Sequence, residues 1–446
     1  MERNNVRHLW FIAVMKSFCL FLFSVCFATS IQADNWPRFR GPEGSGKPTG
    51  ETNVPLEWSE STNIKWKLGL PGPGSSSPVV WGDRVFITAY SGYGDGSTGE
   101  LDALTRHLLA IDKNTGEVIW KVDVPNPNPS SEDPYYGFIN EHGYASHTPV
   151  TDGNGIYCFF GKGGVMAFNW DGEKLWEKAV GQLHSQKRWG SASSPILFEN
   201  KVIVKAGDES RAVFAFDRKT GEELWKAEGS VLEQTYGTPV LHKVSDDRTD
   251  IIVASPGEIW GMNPDTGKLR WLSETEIKGN VSSSPVVEGN TMVIFGGFPR
   301  TMGAALKLGL KGDVSGTARI WENIDVKAYM TAPVFHNGLL YFIRDEGVAC
   351  CADPVKGELI YEERLQGASG QRGRGKPFYA SPIIVQDHII AVSRTAGTFI
   401  IEAKPEYKLV RVNQIEGDAG RFQGTPAVSG DKLFLRSETA LYCIGK

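Results

Sequence analysis

Aromatic, cationic and amide side chains stand just before a series of pairs in which a small residue precedes proline. These side chains are His147, Arg188, Trp189, Tyr236, Asn280, Tyr329, Tyr379, Arg421, Phe422 and Gln423, and Arg372 and Arg374 lie a few residues ahead of one pair. Aromatic rings stack on planar groups and attract cations, and guanidinium groups pair with carboxylates and phosphates. If the pairs converge in the fold, these side chains form a funnel for a planar or anionic ligand. Packing of a channel wall is the alternative role for the rings, and solvation is the alternative for the arginines.

Other combinations of reactive side chains are sparse. Cys350 and Cys351 are adjacent, but their register places them within a β-strand, where neighbouring side chains point to opposite faces, so we expect two buried free thiols. His142 and His147 share a loop, yet their spacing matches no known metal cage. The sequence contains no G-x-S-x-G nucleophile motif and no C-x-x-C-H haem motif. It therefore predicts no catalytic residue and no metal site.

A repeat must position these side chains. Each repeat begins with a Ser, Thr or Ala followed by Pro, at 77–78, 148–149, 194–195, 238–239, 284–285, 332–333, 381–382 and 425–426. The last seven of these prolines are 44 to 49 residues apart. That period is typical of four-stranded units closed into a ring and not of a helical solenoid. The sequence predicts an all-β protein, an eight-bladed β-propeller with four-stranded antiparallel blades.

The two ends of the repeat array predict how the ring closes. Each unit contains four strands, A to D, but the unit that begins at Thr425 reaches residue 446 after strand C. Residues 63–67 lie upstream of the first Ser-Pro pair and can supply the missing strand D. We therefore expect the N-terminal strand to pair with the C-terminal blade, which leaves no open sheet edge at the seam. The propeller then spans residues 63–446, preceded by an N-terminal extension at 34–62.

Alternating strand directions place the B-to-C and D-to-A links on one face of the propeller. The long excursions at 90–106, 124–147, 299–319 and 366–378 are all predicted on that face. Binding residues concentrate in long loops carried by a rigid scaffold. This loop-rich face is the predicted binding surface.

Residues 1–33 have the pattern of a secretory signal peptide. Arg3, Arg7 and Lys16 precede an apolar run at 18–28, and Ala33 is the expected cleavage position. The run is too short to remain as a membrane span, so no transmembrane segment is expected in the mature chain. Beyond residue 33 the sequence has 44 basic and 51 acidic side chains, which disfavours nucleic-acid binding. An exported protein, periplasmic or extracellular, is predicted.

Large residues stand four positions after the glycine of several Asp-x-x-Thr-Gly-like turns. They are Trp120, Trp225, Trp271 and Tyr361, with Trp66, Trp176 and Trp321 in other units. The segment at 110–120 and its copies at 215–225 and 261–271 resemble the eleven-residue tryptophan-docking motif of the PQQ-like quinoprotein β-propellers. The resemblance covers residues 63–446 and implies that these aromatic side chains dock neighbouring blades. Residues 35–42 resemble the start of secreted bacterial PQQ-like repeat proteins.

The resemblance leaves several functions open, because the superfamily holds PQQ-dependent alcohol dehydrogenases and also non-enzymatic scaffolds of the BamB type. We expect a non-catalytic scaffold without a cofactor, which binds a protein or glycan partner on the loop-rich face. The first alternative is a PQQ-dependent alcohol or sugar dehydrogenase with PQQ and calcium in the funnel. The second is glycan recognition through Tyr236, Tyr329 and Tyr379.

Overall fold

Eight antiparallel units, each with four strands A to D, make up residues 64–444, which confirms the predicted propeller. The computed structural model describes residues 35–127, 132–368 and 376–446. The predicted signal peptide lies outside the described residues. Within them, no helix has the length and apolar character needed to cross a membrane.

Each blade is built from four strands, A to D. Blade 1 has Val79–Trp81, Arg84–Ser91, Thr105–Asp112 and Val118–Pro125; blade 2 has Val150–Thr151, Ile156–Phe159, Val165–Phe168 and Lys174–Lys178; blade 3 has Ile196–Phe198, Lys201–Ala206, Ala212–Asp217 and Glu223–Glu228; blade 4 has Val240–Ser245, Arg248–Ser255, Glu258–Met262 and Leu269–Glu274. Blade 5 has Val286–Glu288, Thr291–Gly296, Met302–Lys307 and Arg319–Asn323; blade 6 has Val334–His336, Leu339–Arg344, Val348–Asp353 and Glu358–Arg364; blade 7 has Ile383–Val385, His388–Val392, Thr398–Glu402 and Leu409–Asn413; blade 8 has Ala427–Ser429, Lys432–Arg436 and Ala440–Ile444, with Ile64–Gly69 as its strand D. Helical segments of three or four residues occur at Pro42–Gly44, Leu101–Ala103, Ile139–Glu141, Gly161–Gly163, Gly207–Ser210 and Ser230–Leu232.

The ring closes at the predicted seam. Ile64–Gly69 pairs antiparallel with Ala440–Ile444, and Trp66 lies opposite Cys443. Strand A of blade 1 lies beside strand A of blade 8 as well as that of blade 2. The N-terminal strand and the C-terminal blade therefore share one sheet, as the incomplete last unit predicted.

Indole rings on the outer strands join each blade to the next. The indole N–H groups of Trp66, Trp120, Trp176, Trp225 and Trp321 donate to backbone oxygens of the following blade, at 2.7 to 3.0 Å. A turn glycine lies against each ring, at Gly116, Gly172, Gly221, Gly267 and Gly357 respectively. Each of these glycines has a positive φ, and a Cβ there would come within 2.8 Å of the indole. Only glycine gives both the turn and the close approach.

Two of the predicted docking residues make different contacts. Trp271 donates its indole N–H to Asp250 within its own blade, at 3.0 Å. Tyr361 packs edge-on against Tyr407 of blade 7, with 5.7 Å between ring centroids. The Trp271 exception has a local cause, because residues 308–318 replace the tight C-to-D turn of blade 5. Within that insertion Gly312–Asp313 adds a parallel fifth strand beside strand D of blade 4.

This insertion corrects one predicted excursion. The sequence predicts a single long B-to-C link at 299–319 on the loop-rich face. Strand C, Met302–Lys307, instead lies inside the range, so the B-to-C link is short. The long segment is the C-to-D link on the opposite face. Glycines at 303, 309 and 312 interrupt the apolar pattern, so the sequence did not predict this strand.

The small residue before each proline forms an inner wall of hydrogen-bonded hydroxyl groups. Six backbone N–H groups at this position donate to the hydroxyl of the equivalent residue in the next blade, over 2.8 to 3.1 Å: Ser77 to Thr148, Thr148 to Ser194, Ser194 to Thr238, Thr238 to Ser284, Ala332 to Ser381, and Ser381 to Thr425. Ala332 has no hydroxyl to offer Ser284. The repeated Ser-Pro and Thr-Pro pairs are therefore joints between blades.

We expect Ser194→Ala to lower the free energy of unfolding by about 1–3 kcal/mol, because the Thr148 N–H loses its acceptor inside the protein. Ser193→Ala is the matched control, since the Ser193 hydroxyl is equally buried and has no hydrogen-bond partner among the described residues. Urea unfolding of both variants measures the difference. Equal free energies of unfolding for the two variants would show that the hydrogen bond from the Thr148 N–H to the Ser194 hydroxyl does not stabilise the joint between the blades.

Candidate functional site

A cavity of about 270 Å³ lies on the propeller axis at the loop-rich end. Its aromatic lining consists of Phe39, Phe138, Trp189, Tyr236, Tyr329 and Tyr379. Hydroxyl groups of the inner wall contribute as well, from Ser77, Ser284, Ser381 and Thr425. This axial cavity is large enough for a small planar molecule or for two or three side chains of a partner.

The N-terminal segment forms the floor of the axial cavity. Residues 35–47, which we call the N-terminal plug, cross the channel at the end opposite the loop-rich face. Trp36 is fully buried and pairs with Val80 of blade 1, while Arg38 donates to Pro239 O of blade 4 at 3.0 Å. Arg40 donates to Ala332 O and Pro333 O of blade 6, at 3.0 and 2.6 Å. These anchors on opposite sides of the ring place Phe39 at the base of the cavity.

A turn of the loop between blades 1 and 2 reaches over the cavity. Glu141, at the end of Ile139–Glu141, accepts from Arg394 Nη2 of blade 7 at 2.9 Å and lies 3.8 Å from Arg421 Nη1. Arg394 is buried and stacks on Tyr379, with 4.3 Å from its guanidinium carbon to the ring centroid. Arg394 of blade 7 therefore holds this turn, which belongs to the loop between blades 1 and 2, in place over the axial cavity.

His142 follows this turn and lines the axial cavity. Its Nε2 lies 2.6 Å from Trp189 O, which requires an N–H at Nε2, and Nδ1 then accepts from the Ser146 hydroxyl. Burial lowers the pKa of His142 below its usual value. A neutral ring with both nitrogens occupied orients Trp189 and is not available as a base.

The structure brings five of the sequence-predicted residues together in the axial cavity: Trp189, Tyr236, Tyr329, Tyr379 and Gln423. Asn280 lies directly behind them, with its amide nitrogen 3.4 Å from the Tyr329 hydroxyl.

The other predicted residues lie elsewhere. Arg188 stacks on Phe138, at 3.9 Å from guanidinium carbon to ring centroid. Arg421 pairs with Glu438 at 2.6 Å, and Phe422 packs on Tyr442. Arg372 and Arg374 lie outside the described residues. The sequence did not predict Phe39, Phe138 and Glu141 as residues that line this cavity. Glu141 is held by a partner 253 residues away, and the Arg40 anchor next to Phe39 by one 293 residues away.

The resemblance to quinoprotein dehydrogenases implies a disulfide between adjacent cysteines over the PQQ and a calcium ion held by carboxylate and amide ligands, and the described residues show neither feature at the axial cavity. Cys350 and Cys351 are free, and they pack in two different hydrophobic layers away from the cavity. Glu141 is the carboxylate that lines the cavity among the described residues, and Arg394 holds it. Within 35–127, 132–368 and 376–446, no three His, Cys, Asp or Glu side chains are grouped to hold a metal ion.

His147 lies in a second, smaller cavity of about 50 Å³ beside the axial one, between blades 1, 2 and 3. Its Nε2 is 2.9 Å from the Ser191 hydroxyl, which donates to Glu209 Oε1 at 2.5 Å. Burial lowers the pKa of His147 to about 3. Burial raises the pKa of Glu209 to about 7, with a further contribution from Asp208. The side cavity therefore holds a neutral imidazole and a carboxyl group that titrates near neutrality.

We expect Glu209 to make a contribution to stability that falls between about pH 4.5 and pH 7. Its pKa is higher in the folded state than in the unfolded chain, so folding favours the protonated form and its contribution is lost as pH rises through pH 7. The size is roughly 3 kcal/mol. Urea unfolding at pH 5 and pH 8 measures this contribution as the difference between the protein and Glu209→Gln. The comparison is needed because Asp345 adds a dependence of the same sign to both proteins, and the lowered pKa values of His142 and His147 add one of the opposite sign. Identical pH dependence in the two proteins would contradict the prediction.

Two known proteins match parts of this sequence. The outer membrane protein assembly factor BamB of Burkholderia pseudomallei is 24% identical over 50% of this chain and 50% of its own length. A polyvinylalcohol dehydrogenase from Pseudomonas sp. is 22% identical over 47% of this chain and 46% of its own length. The chain spans about half the length of the curated relatives it matches.

Solved structures share the fold at lower sequence identity. BamB from Moraxella catarrhalis superposes with a TM-score of 0.56 at 12% identity, covering 86% of this chain and 99% of that one. A europium-containing methanol dehydrogenase gives a TM-score of 0.62 at 11% identity, covering 93% and 98%. The family model described as outer membrane protein assembly factor BamB matches residues 105–363, more than half of the sequence. The chain therefore belongs to the BamB-like family of PQQ-like propellers.

Proposed function

We propose that this propeller is a non-catalytic scaffold that holds a protein partner against its loop-rich face. The observation that carries the proposal is the exposure of large apolar side chains on the links of that face. These are Tyr136, Phe138, Leu183, Phe298 and Ile324, of which Tyr136 is 72% exposed. Exposed aromatic groups around a cavity are typical anchors of protein interfaces.

The contacts inside the axial cavity also support a binding role. Glu141 is paired with Arg394, and both nitrogens of His142 are occupied. A general base must reach a substrate proton with a free lone pair. The occupied nitrogens of His142 leave it no such lone pair, and the ion pair of Glu141 fixes the shape of the pocket, which suits recognition by aromatic contact. One relative is named as a polyvinylalcohol dehydrogenase, so the dehydrogenase alternative also needs an experimental test.

We further propose that the protein is exported. The apolar run at 18–28 behind Arg3 and Arg7 supports export, and so does similarity to a factor named for outer-membrane assembly.

Photo-crosslinking tests the binding face. A photoreactive phenylalanine analogue at position 138 or 298 should give the same discrete protein adduct in the cells that produce this protein. The matched control is position 355, because Val355 is equally apolar and 68% exposed but lies on a C-to-D turn of the opposite face. An equal yield of adducts from position 355, or no adduct from positions 138 and 298, would contradict the proposal.

A second measurement separates the scaffold from its alternatives. Excess PQQ with calcium should leave the absorbance and melting temperature of the purified protein unchanged, and no dye should be reduced with an alcohol. Stoichiometric PQQ binding with dye reduction would establish the dehydrogenase instead. Retention on a polysaccharide that is lost in Tyr329→Ala would establish the glycan-binding alternative.

A further inference from the structure

The side cavity has a wall of buried polar groups that belong to three blades. Arg106 is the second residue of strand C of blade 1, His147 precedes strand A of blade 2, and Glu209 lies in Gly207–Ser210 of blade 3. The exposed fractions of these residues are 5%, 6% and 1%. Half-buried Lys162 and exposed Glu132 and Gln182 lie where the cavity opens towards the loop-rich face.

Four buried polar atoms on this wall have no hydrogen-bond partner among the described residues. They are Arg106 Nε, Arg106 Nη1, His147 Nδ1 and Glu209 Oε2. Buried polar atoms in folded proteins are normally satisfied by protein groups, by water or by a ligand. Four such atoms around one cavity therefore indicate that something polar occupies it.

The backbone of blade 2 is shaped to leave this space open. A Cβ at Gly161 would lie 3.0 Å from Glu209 Oε1 and 3.5 Å from the Ser191 hydroxyl. A Cβ at Gly163 would lie 3.4 Å from Arg106 Nη1. Side chains at these two positions would fill the space in front of the polar wall, and glycine keeps it free.

The charges at the two ends of the cavity restrict the chemistry of an occupant. The guanidinium group of Arg106 is buried, and its Nε and Nη1 have no hydrogen-bond partner among the described residues. Burial lowers the pKa of Arg106, and Asp133, which lines the same cavity, partly offsets that effect. A buried guanidinium pairs favourably with a planar carboxylate. At the other end Ser191 and Glu209 present hydroxyl and carboxyl oxygens, which match a hydroxyl group on the same ligand.

We propose that the side cavity is a binding site for a small carboxylate, with the ligand carboxylate on Arg106 and a neighbouring hydroxyl on Ser191 and Glu209. The cavity, at about 50 Å³, accepts a molecule of about the size of glycolate. The site is separate from the axial cavity and does not depend on the proposed partner-binding role.

Calorimetric titration of the purified protein with sodium glycolate, acetate, glycine and chloride tests this site. Glycolate should bind with one site per chain and several-fold more tightly than acetate, and chloride should not compete. Arg106→Gln should weaken glycolate binding at least tenfold, whereas Arg188→Gln, an exposed arginine stacked on Phe138, should leave it unchanged. Equal binding by Arg106→Gln, or displacement by chloride, would overturn the proposal.

A second variant keeps the test decisive if Arg106→Gln does not fold. Ser191→Ala removes the hydroxyl next to Glu209 and leaves Arg106 in place. It should reduce the affinity for glycolate to that for acetate while acetate binding persists. Preserved preference for glycolate would overturn the placement of the ligand, and absence of binding by every carboxylate to the unmodified protein would overturn the site.

Discussion

Arg40→Met is expected to lower the free energy of unfolding by about 3 kcal/mol or more. Arg40 is 1% exposed, and its guanidinium group donates to Gly44 O, Ala332 O and Pro333 O. Methionine keeps the apolar stem but leaves three buried carbonyl groups without this donor, and each costs roughly 1–3 kcal/mol. Burial lowers the pKa of Arg40 to about 9, so relief of its desolvation offsets part of the loss. Urea unfolding monitored by circular dichroism measures the net change.

The control for Arg40 is another long cation of the N-terminal plug. Lys47→Met breaks an exposed ion pair with Glu288 and should cost less than about 1 kcal/mol. The two variants should also differ in their effect on the axial cavity, because Arg40 holds the adjacent residue Phe39 at the base of that cavity. Hydrogen exchange at residues 36–46 should therefore rise in Arg40→Met only. Similar stabilities for both variants would show that the plug is not held by Arg40.

Trp66→Ala is expected to lower the free energy of unfolding by about 3–5 kcal/mol, because a buried aromatic side chain is removed at the seam. Trp66 is 8% exposed and donates to Lys113 O at 3.0 Å. Its ring lies against Gly116 and 5.9 Å from Phe434. One substitution therefore weakens both the docking of blade 8 on blade 1 and the strand that completes blade 8.

The same substitution inside the ring is the matched control for the seam. Trp225 has the same exposure and an equivalent bond to Pro264 O at 2.9 Å, but the chain joins its blade to the next one directly. Trp66→Ala should raise hydrogen exchange across residues 64–69 and 440–444, and Trp225→Ala should not. Matching exchange patterns in the two variants would show that the seam has no special role in closing the ring.

The fold was predictable because every blade meets the same physical constraint. Each inner strand begins with a proline that follows a small residue, so this pair recurs eight times although most other positions differ between the repeats. The docking aromatics were predictable for the same reason. Trp120 lies opposite Ala110 and Trp225 opposite Ala215, since a large ring on strand D needs a small partner on strand C. Tyr361 lies opposite Cys351 in the same way.

The candidate site was less predictable because its members come from distant parts of the sequence. Phe39 reaches the axial cavity only through the anchors of Arg38 and Arg40, whose partners are 201 to 293 residues away. His147 precedes a proline like the funnel residues, yet its side chain turns into the side cavity. Local sequence fixes where a strand begins. It does not fix which way a loop side chain points.

The four cysteines after residue 35 have a practical consequence for studying this protein. Cys158, Cys350, Cys351 and Cys443 are all buried in the β-sheets, and burial raises the pKa of each thiol. Thiolates react with maleimides and spin labels, so these native side chains should stay unmodified while the protein is folded. In protein produced without residues 1–33, which contain Cys19 and Cys26, a single cysteine introduced at Phe138 would then carry a fluorophore at the axial cavity without replacement of these four.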